Sequence, residues 1–262
     1  MSTFSTCTSS TRPSSPTDGD VLFETDTKNI IIWDGTNWRI YFSDGLPIGG
    51  SSYSLLLDGT DDRVELNSDI SFLNSSSAFS ISAWLKLSSS ASLAYFYQSG
   101  SDTFYNSISF YQSTSMDFLI GKGGSSYAGT RYSGNIKDDT WHHLAGVYDG
   151  SSLTIYLDGT APTQSAIGTA VPSSTVSTGG QSPHIGSKTD DSSEFTGSMD
   201  DFAIFDDALT ATEVSNIYNN AVYPSAKLKH LYKFENNFND SIGSINGTAQ
   251  SNAQTDSSTT RP

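Results

Sequence analysis

The sequence predicts an all-β protein: an antiparallel β-sandwich with one short helix, preceded by a small three-stranded N-terminal β module. Ser and Thr fill 75 of 262 positions and 12% of residues are aromatic, which suits strands with polar outer faces and an aromatic core. Residues 79–87 alternate apolar and polar side chains, as a half-buried strand does. Asp-Gly pairs at 149–150 and 158–159 flank the strand-like run 153–157, a pattern typical of a β-meander.

Charge and apolar content exclude several functional classes. The net charge of −15 repels phosphate, so we expect neither nucleic-acid binding nor attraction to an anionic membrane. No stretch approaches the roughly 20 apolar residues of a membrane helix, and residues 1–16 lack the apolar core of a secretion signal. A single cysteine, Cys7, excludes an internal disulfide and a zinc site built from cysteines.

The chain divides into four parts. We expect a flexible or extended arm (1–18), a small β module with its linker (19–50), the main domain (51–250) and a polar, frayed tail (251–262). In the module, Trp33 and Trp38 flank an Asp-Gly hairpin turn. Because three short strands cannot bury two tryptophans alone, Trp33 and Trp38 need to pack on the rest of the chain or on copies of the module. We expect contacts in a homo-oligomer, most simply a trimer.

The predicted helix begins near residue 210. Thr210 and Glu213 have the spacing of a capping box, in which each side chain accepts a hydrogen bond from the backbone of the other. Leu209 and Val214 are placed for the accompanying hydrophobic contact. We expect this helix to end near residues 218–220.

Five motifs follow one another in the main domain. They are SLLLDGTDDRVEL (54–66), FSISAWLKL (79–87), WHHLAGVYDGSSLTIYLDGT (141–160), HIGS (184–187) and FTGSMDDFAIFDDALTATEVSNIY (195–218). This ordered series resembles the laminin-G-like, concanavalin A-like jelly roll, which implies two curved antiparallel sheets. In many members a segment like YKFENNFNDSIGSINGT (232–248) precedes the first motif, whereas here it follows the helix. The resemblance therefore implies a circularly permuted domain, whose late strand pairs either within its own chain or with a neighbour.

The N-terminal part carries a second resemblance. Residues 12–39, RPSSPTDGDVLFETDTKNIIIWDGTNWR, resemble a short module common in bacteriophage virion proteins, especially tail fibres. This resemblance implies a protein of the virion surface, either tail-fibre-like or capsid-decorating, with other virion proteins and its own copies as partners. Virion proteins leave the cell by lysis and need no secretion signal.

We do not expect an enzyme. Glucanases with this fold use an E-x-D-x-x-E strand, and none of the five glutamates, at 24, 65, 194, 213 and 235, stands in that pattern. There is no G-x-S-x-G motif, and GKGGS at 121–125 does not complete a phosphate-binding loop. His142 and His143 are adjacent on a predicted strand, so they face opposite sides and cannot share a metal ion.

Binding of a host surface carbohydrate is the function expected for the jelly roll. Residues 95–132 are rich in aromatic residues, and in adjacent pairs on a strand one ring must face away from the core. The candidate sugar-stacking residues are Tyr95, Tyr97, Tyr105, Tyr111, Tyr127 and Tyr132, although a loop or a neighbouring subunit could cover the outward rings. The alternatives are a purely structural virion decoration without a ligand, and a bacterial surface adhesin or carbohydrate-binding module.

The resemblance also implies one structural Ca²⁺ ion at the rim of the sandwich. Asp58 and Asp62 in the first motif and Asp200 in the last match the acidic positions of related jelly rolls. Asp200 and Asp201 are adjacent on a strand, so at most one of them would join the site. Alternatively, these aspartates only bond the backbone of their own turns, as Asp-Gly turns usually do.

Overall fold

The computed structural model is built almost entirely from β-strands, as the alternating pattern predicts. It describes residues 5–25, 30–33, 35–36, 38–43, 46–47, 53–101, 106–174 and 181–258. In the main domain two sheets enclose a shared apolar core, and a third sheet forms the N-terminal module.

The N-terminal module is one sheet whose strands follow chain order. They are β1 (Ser5–Cys7), β2 (Val21–Glu24), β3 (Ile30–Trp33), β4 (Trp38–Ser43) and β5 (Leu46–Pro47). The three predicted strands are present, and the structure adds β1, which pairs in parallel with β2, and β5. Part of the predicted arm therefore belongs to the sheet. Arg12, farther along the arm, forms an ion pair with the buried carboxylate of Glu24.

One sheet of the main domain has eight strands. They are β7 (Arg63–Leu66), β9 (Ala94–Gly100), β10 (Ser107–Gln112), β11 (Met116–Gly121), β12 (Tyr127–Tyr132), β15 (Ser165–Gly168), β16 (His184–Ile185) and β19 (Gly247–Gln250). Their spatial order is β15-β12-β11-β10-β9-β16-β7-β19, and all neighbours are antiparallel. We call this the eight-stranded sheet.

The facing sheet has seven strands. They are β6 (Ser54–Asp58), β8 (Phe79–Leu87), β13 (Trp141–Tyr148), β14 (Leu153–Leu157), β17 (Thr196–Phe205), β18 (Leu228–Tyr232) and β20 (Gln254–Asp256). The order is β14-β13-β8-β17-β6-β20. Strand β6 pairs with the first half of β17 and β18 with the second half. Near their junction, the pairing of β17 with β8 has a bulge between Asp200 and Ala203.

Apolar side chains from both sheets meet in one core, in which the rings of Phe79, Phe110 and Phe118 contact one another. A short 3-10 helix, Ser71–Leu73, adds Leu73 to this core. The two layers of β-strands, each with one apolar face, form the sandwich that the sequence predicts.

A second apolar cluster lies under the helix α1 (Ala211–Asn220), on the outer face of the seven-stranded sheet. Val214 and Ile217 of the helix pack there against Val147 and Phe205 of the strands. The predicted capping box is present: the Glu213 N–H donates to Thr210 Oγ1 at 3.2 Å, and the Thr210 N–H donates to Glu213 Oε2 at 2.7 Å.

The late part of the chain closes the sandwich from within the same chain. Strand β18 pairs with β17, β19 with β7, and β20 with β6, where Asp256 lies opposite Ser54. The prediction of a frayed tail from residue 251 is therefore wrong for residues 254–256, because their backbone hydrogen bonds extend the edge of the seven-stranded sheet.

Candidate functional site

The outer face of the eight-stranded sheet is the face that points away from the core. The strand register determines which side chains lie side by side on it. Tyr111 on β10 lies opposite Asp117 on β11, which lies opposite Arg131 on β12. Their chain neighbours Phe110 and Phe118 point into the core. Alternation therefore brings a phenol, a carboxylate and a guanidinium side by side on the outer face. We call these three residues, together with Tyr127, the outer-face cluster.

Asp117 is the centre of this cluster. It is only 1% exposed, and its carboxylate accepts hydrogen bonds from Arg131 Nε at 2.7 Å and Arg131 Nη2 at 2.6 Å. Tyr111 Oη donates to the same carboxylate at 2.9 Å, and Ser115 Oγ at 3.2 Å. Because a two-point pair fixes the plane of the guanidinium, Arg131 is held in one orientation.

Arg131 is the exposed member of the pair, with 43% of its side chain accessible. Its hydrogen bond to Asp117 raises the pKa of its guanidinium further above its usual range. Arg131 is therefore a permanently charged hydrogen-bond donor. Its Nε and Nη2 atoms are held by Asp117, and its other N–H groups face away from that carboxylate. Tyr127 lies at the other end of the same strand, on the same face, and is half-buried.

Tyr95 stacks on Tyr111, with ring centroids 4.8 Å apart and planes within 18°. Tyr95 is only 1% exposed, so it supports Tyr111 from below and cannot itself stack on a sugar in this conformation. Burial raises the pKa of both phenols, and nearby carboxylates add to it: Asp190 and Asp117 for Tyr95, and Asp117 for Tyr111.

Besides Tyr95, the structure corrects two more of the predicted sugar-binding residues. A bulge in β9 between its pairings with Tyr111 and Phe110 turns Tyr97 into the core, where it is 0% exposed and packs on Phe202. Tyr132 packs partly against the same core. Neither ring can stack on a ligand at the outer face. Tyr105 lies outside the described residues, so its prediction stands as made.

Next to Tyr95, the outer face carries a network of buried polar side chains on β9 and β10. Gln98 Nε2 donates to Ser109 Oγ at 3.0 Å, and Ser109 is hydrogen-bonded to Ser107. The backbone N–H of Thr189 donates to Gln98 Oε1 at 2.8 Å, and the Thr189 hydroxyl donates to the Gly100 carbonyl at 2.9 Å. These bonds fix the loop that follows β16 over the strands β9 and β10.

The predicted calcium ligands do not all come together. Oxygen atoms of Asp58, Asp61 and Asp62 lie within 4.8 Å of one another at the end of β6. Asp200 lies away from this group. Thr196 on β17 pairs with Asp58, and Asp200 is four residues farther along β17, which at ~3.3 Å per residue is about 13 Å from Thr196. Both oxygens of Asp62 already accept backbone N–H groups, from Asp58 and Asn252.

The two predicted oligomerisation residues face each other across a strand pair. Trp33 on β3 lies opposite Trp38 on β4, and their rings pack edge to face with centroids 5.6 Å apart. Both are half-buried, so each ring keeps part of its surface accessible in the single chain.

The adjacent histidines serve separate structural contacts. His142 hydrogen-bonds Asp158 at 2.8 Å and Asp138 at 3.1 Å, and these bonds raise its pKa to about 9. His143 packs beside the rings of Trp84 and Tyr218, which stack on each other, on the outer face of the seven-stranded sheet. This arrangement agrees with the expectation that His142 and His143 face opposite sides of their strand.

Asp117 and Arg131 are not among the residues that the sequence predicts for the site. A weak signal was present: Asp117 is a charge between Met116 and Phe118 in an otherwise apolar run, and a charge there needs a partner. The identity of that partner depends on the pairing of β11 with β12, which no local pattern specifies. Among the described residues, no helix is long and apolar enough to cross a membrane.

Solved structures of other proteins share the fold of this chain. Similar solved structures include a Bacteroides ovatus protein described as a candidate carbohydrate-binding protein, at 15% identity and a TM-score of 0.58, covering 92% of this chain and 70% of that one. Another is a native heptameric SAP-like pentraxin from Limulus polyphemus, at 14% identity and a TM-score of 0.54, covering 80% of this chain and 96% of that one. At such identities the likeness establishes the fold alone.

A comparison with curated proteins finds no match. A laminin-G-type family model, described as the concanavalin A-like lectin/glucanases superfamily, matches residues 58–215, which is more than half of the chain. The chain therefore belongs to the concanavalin A-like lectin/glucanase superfamily.

Proposed function

We propose that this chain is a surface protein of a bacteriophage particle and that its jelly roll binds a host carbohydrate through the outer-face cluster. The observation that carries the binding proposal is the two-point pair between Arg131 and the buried Asp117, with Tyr111 bonded to Asp117 and Tyr127 four residues from Arg131 on the same face. Sugar sites need aromatic surface together with a few polar groups held in fixed positions.

The cluster is organised before any ligand arrives. Tyr111 is held by its bond to Asp117 and by the stacked ring of Tyr95, and Arg131 is held by the same carboxylate. A ligand would therefore not have to order these long side chains, and that reduces the entropy lost on binding. The Arg131 side chain donates two hydrogen bonds to Asp117, and an arginine has five N–H donors. The remaining donors suit sugar hydroxyl groups.

The virion part of the proposal rests on the N-terminal module. Residues 12–39 resemble modules of phage virion proteins and include β2 and β3 of the N-terminal sheet, in which Trp33 and Trp38 are half-buried. We propose that these rings complete their burial against other copies of the chain, as a trimer, or against another virion protein. The carbohydrate-binding domain would then be displayed on the particle surface.

For the calcium ion expected from the sequence, we propose a reduced site without Asp200. Asp58, Asp61 and Asp62 supply carboxylate oxygens within reach of one ion, and calcium prefers such oxygen ligands. Because Asp62 also fixes the backbone of Asn252, next to β20, an ion there would stabilise the closure of the sandwich by the late strands.

Labelled full-length protein, added to intact candidate host cells, tests the proposed function. We expect saturable binding that the purified surface polysaccharide of those cells competes away, and a loss of at least about tenfold in affinity for Tyr111→Ala. Tyr156→Ala is the matched control, since this half-buried tyrosine lies on β14 of the other sheet. Repeating the assay with a chelator shows whether calcium contributes.

The outcomes separate the alternatives. Absence of binding by a folded oligomer would contradict the proposal and favour a purely structural decoration. Binding that Tyr111→Ala leaves unchanged would move the site away from the outer-face cluster.

A further inference from the structure

Three cations on the outer face of the eight-stranded sheet and on the loop after β16 are paired with carboxylates. Arg131 pairs with Asp117, as described. Beside them, Lys188 Nζ lies 2.5 Å from Asp190 Oδ2, and Arg63 Nε lies 3.0 Å from Asp191 Oδ1. Arg131, Lys188 and Arg63 are thus each matched by a negative charge, whereas Lys122, in the turn between β11 and β12, donates to the Thr169 hydroxyl and the Ala170 carbonyl.

The carboxylates at the site oppose a further negative charge. After burial, the charges of Asp190 and Asp117 are the next causes that raise the pKa of Tyr95, which means that they disfavour a negative charge at that phenol. The whole chain adds to this effect with a net charge of −15. An anionic ligand would meet repulsion from these carboxylates, and it could form the two-point ion pair with Nε and Nη2 of Arg131 only if Arg131 left Asp117.

Leaving Asp117 is costly for Arg131. The carboxylate is 1% exposed and receives both guanidinium bonds, and a buried charge that loses its partner is strongly destabilised. Arg131 therefore acts as a fixed, neutralised donor of hydrogen bonds. Neutral vicinal hydroxyl groups can accept such bonds without displacing the carboxylate.

From these contacts we propose that the outer-face cluster selects a neutral glycan, presenting adjacent hydroxyl groups to Arg131, and rejects glycans that carry carboxylate or sulfate groups. The inference rests on the proposed function, because it names the chemical class of the ligand for the same site. Asp117 has a specificity role in it: its carboxylate keeps Arg131 from serving as an anion receptor.

Host surface polysaccharide, separated by anion exchange into neutral and acidic fractions, tests the inference. We expect the full chain to bind the neutral fraction, with less than about a twofold change in affinity between about 50 and 500 mM NaCl, since screening has little effect on uncharged ligands. Binding confined to the acidic fraction would overturn the inference and leave the proposed function standing. Binding to neither fraction would contradict the proposed function itself.

The variant Asp117→Asn gives a second readout that does not need the natural ligand. Loss of the carboxylate leaves the charge of Arg131 uncompensated, so we expect affinity for polygalacturonate to rise by about tenfold or more, as a charged hydrogen bond permits. Asp207→Asn, an exposed residue near α1, is the control for the same change in net charge. Far-ultraviolet circular dichroism checks that both variants fold. A folded Asp117→Asn variant with no gain over the control would overturn the inference.

Discussion

Replacing Asp240 with asparagine should show how strongly the late segment of the chain is fixed into the sandwich. Asp240 lies between β18 and β19, and its side chain is fully buried. His230 Nδ1 donates to it at 2.6 Å, and the backbone N–H groups of Gly243 and Leu231 donate to it at 2.9 Å and 3.1 Å. One carboxylate thus holds the strand and the following turn together.

The structure gives the size of the effect. Burial acts to raise the pKa of Asp240, but the hydrogen bonds from His230 and the backbone outweigh it and lower the pKa from 3.8 to about 2. At about 1.4 kcal/mol for each pKa unit, this corresponds to about 2 kcal/mol of folding stability. Because the folded pKa is depressed, the contribution is present above pH 3.8 and is lost as the pH falls through about 2.

Urea denaturation of the wild type and Asp240→Asn measures this contribution. We expect the variant to be less stable by about 2 kcal/mol at pH 7 and the difference to shrink near pH 2.5, where the wild-type carboxylate begins to take up its proton. Asp207→Asn, on the exposed surface, should change stability by less than about 0.5 kcal/mol at pH 7. A difference for Asp240→Asn that is small at pH 7, or equal at both pH values, would refute the reasoning.

Three further predictions concern other parts of the sandwich. Hydrogen bonds to its aspartate partners raise the pKa of His142 to about 9. The contribution of His142 to folding stability is therefore complete below about pH 6.5 and is lost as the pH rises through 9. The melting temperatures of the wild type and His142→Gln should differ at pH 6 and converge near pH 10. Thr210→Ala removes the helix cap and should cost about 1 kcal/mol in urea titrations, whereas Thr212→Ala, an exposed position of the same helix, should cost far less. Gly59→Ala should lower the melting temperature by several degrees, since Gly59 has φ +80° and a Cβ there would overlap Thr196 Oγ1; an unchanged melting temperature would contradict this packing.

Regular strands and the helix cap could be read from local sequence. The predicted strands 79–87, 141–148 and 153–157 have the same limits in the structure, because strict alternation and Asp-Gly turns specify both the face and the end of each strand. The helix begins at its predicted cap for a similar reason, since the Thr210 hydroxyl satisfies a backbone donor within three residues.

Features that depend on distant pairing could not be read in this way. The bulge in β9 breaks the alternation on which the assignment of Tyr97 to the outer face depended. The Arg131–Asp117 pair depends on the register of β11 against β12. Strand β20 forms only by pairing with β6, almost 200 residues earlier in the chain. Local patterns predict which residues alternate, whereas tertiary contacts decide which strand they meet.

The central claim is that the outer face of the eight-stranded sheet binds a neutral carbohydrate. Chemical-shift mapping on the isotope-labelled full chain, titrated with a neutral oligosaccharide from host polysaccharide, tests it most directly. We predict that the largest shifts cluster on β10, β11 and β12, at Tyr111, Tyr127 and the Arg131 side chain, and that Arg131→Gln abolishes them. Shifts centred on the helix α1 or on the aspartates at the end of β6, with the outer-face cluster unperturbed, would contradict the claim.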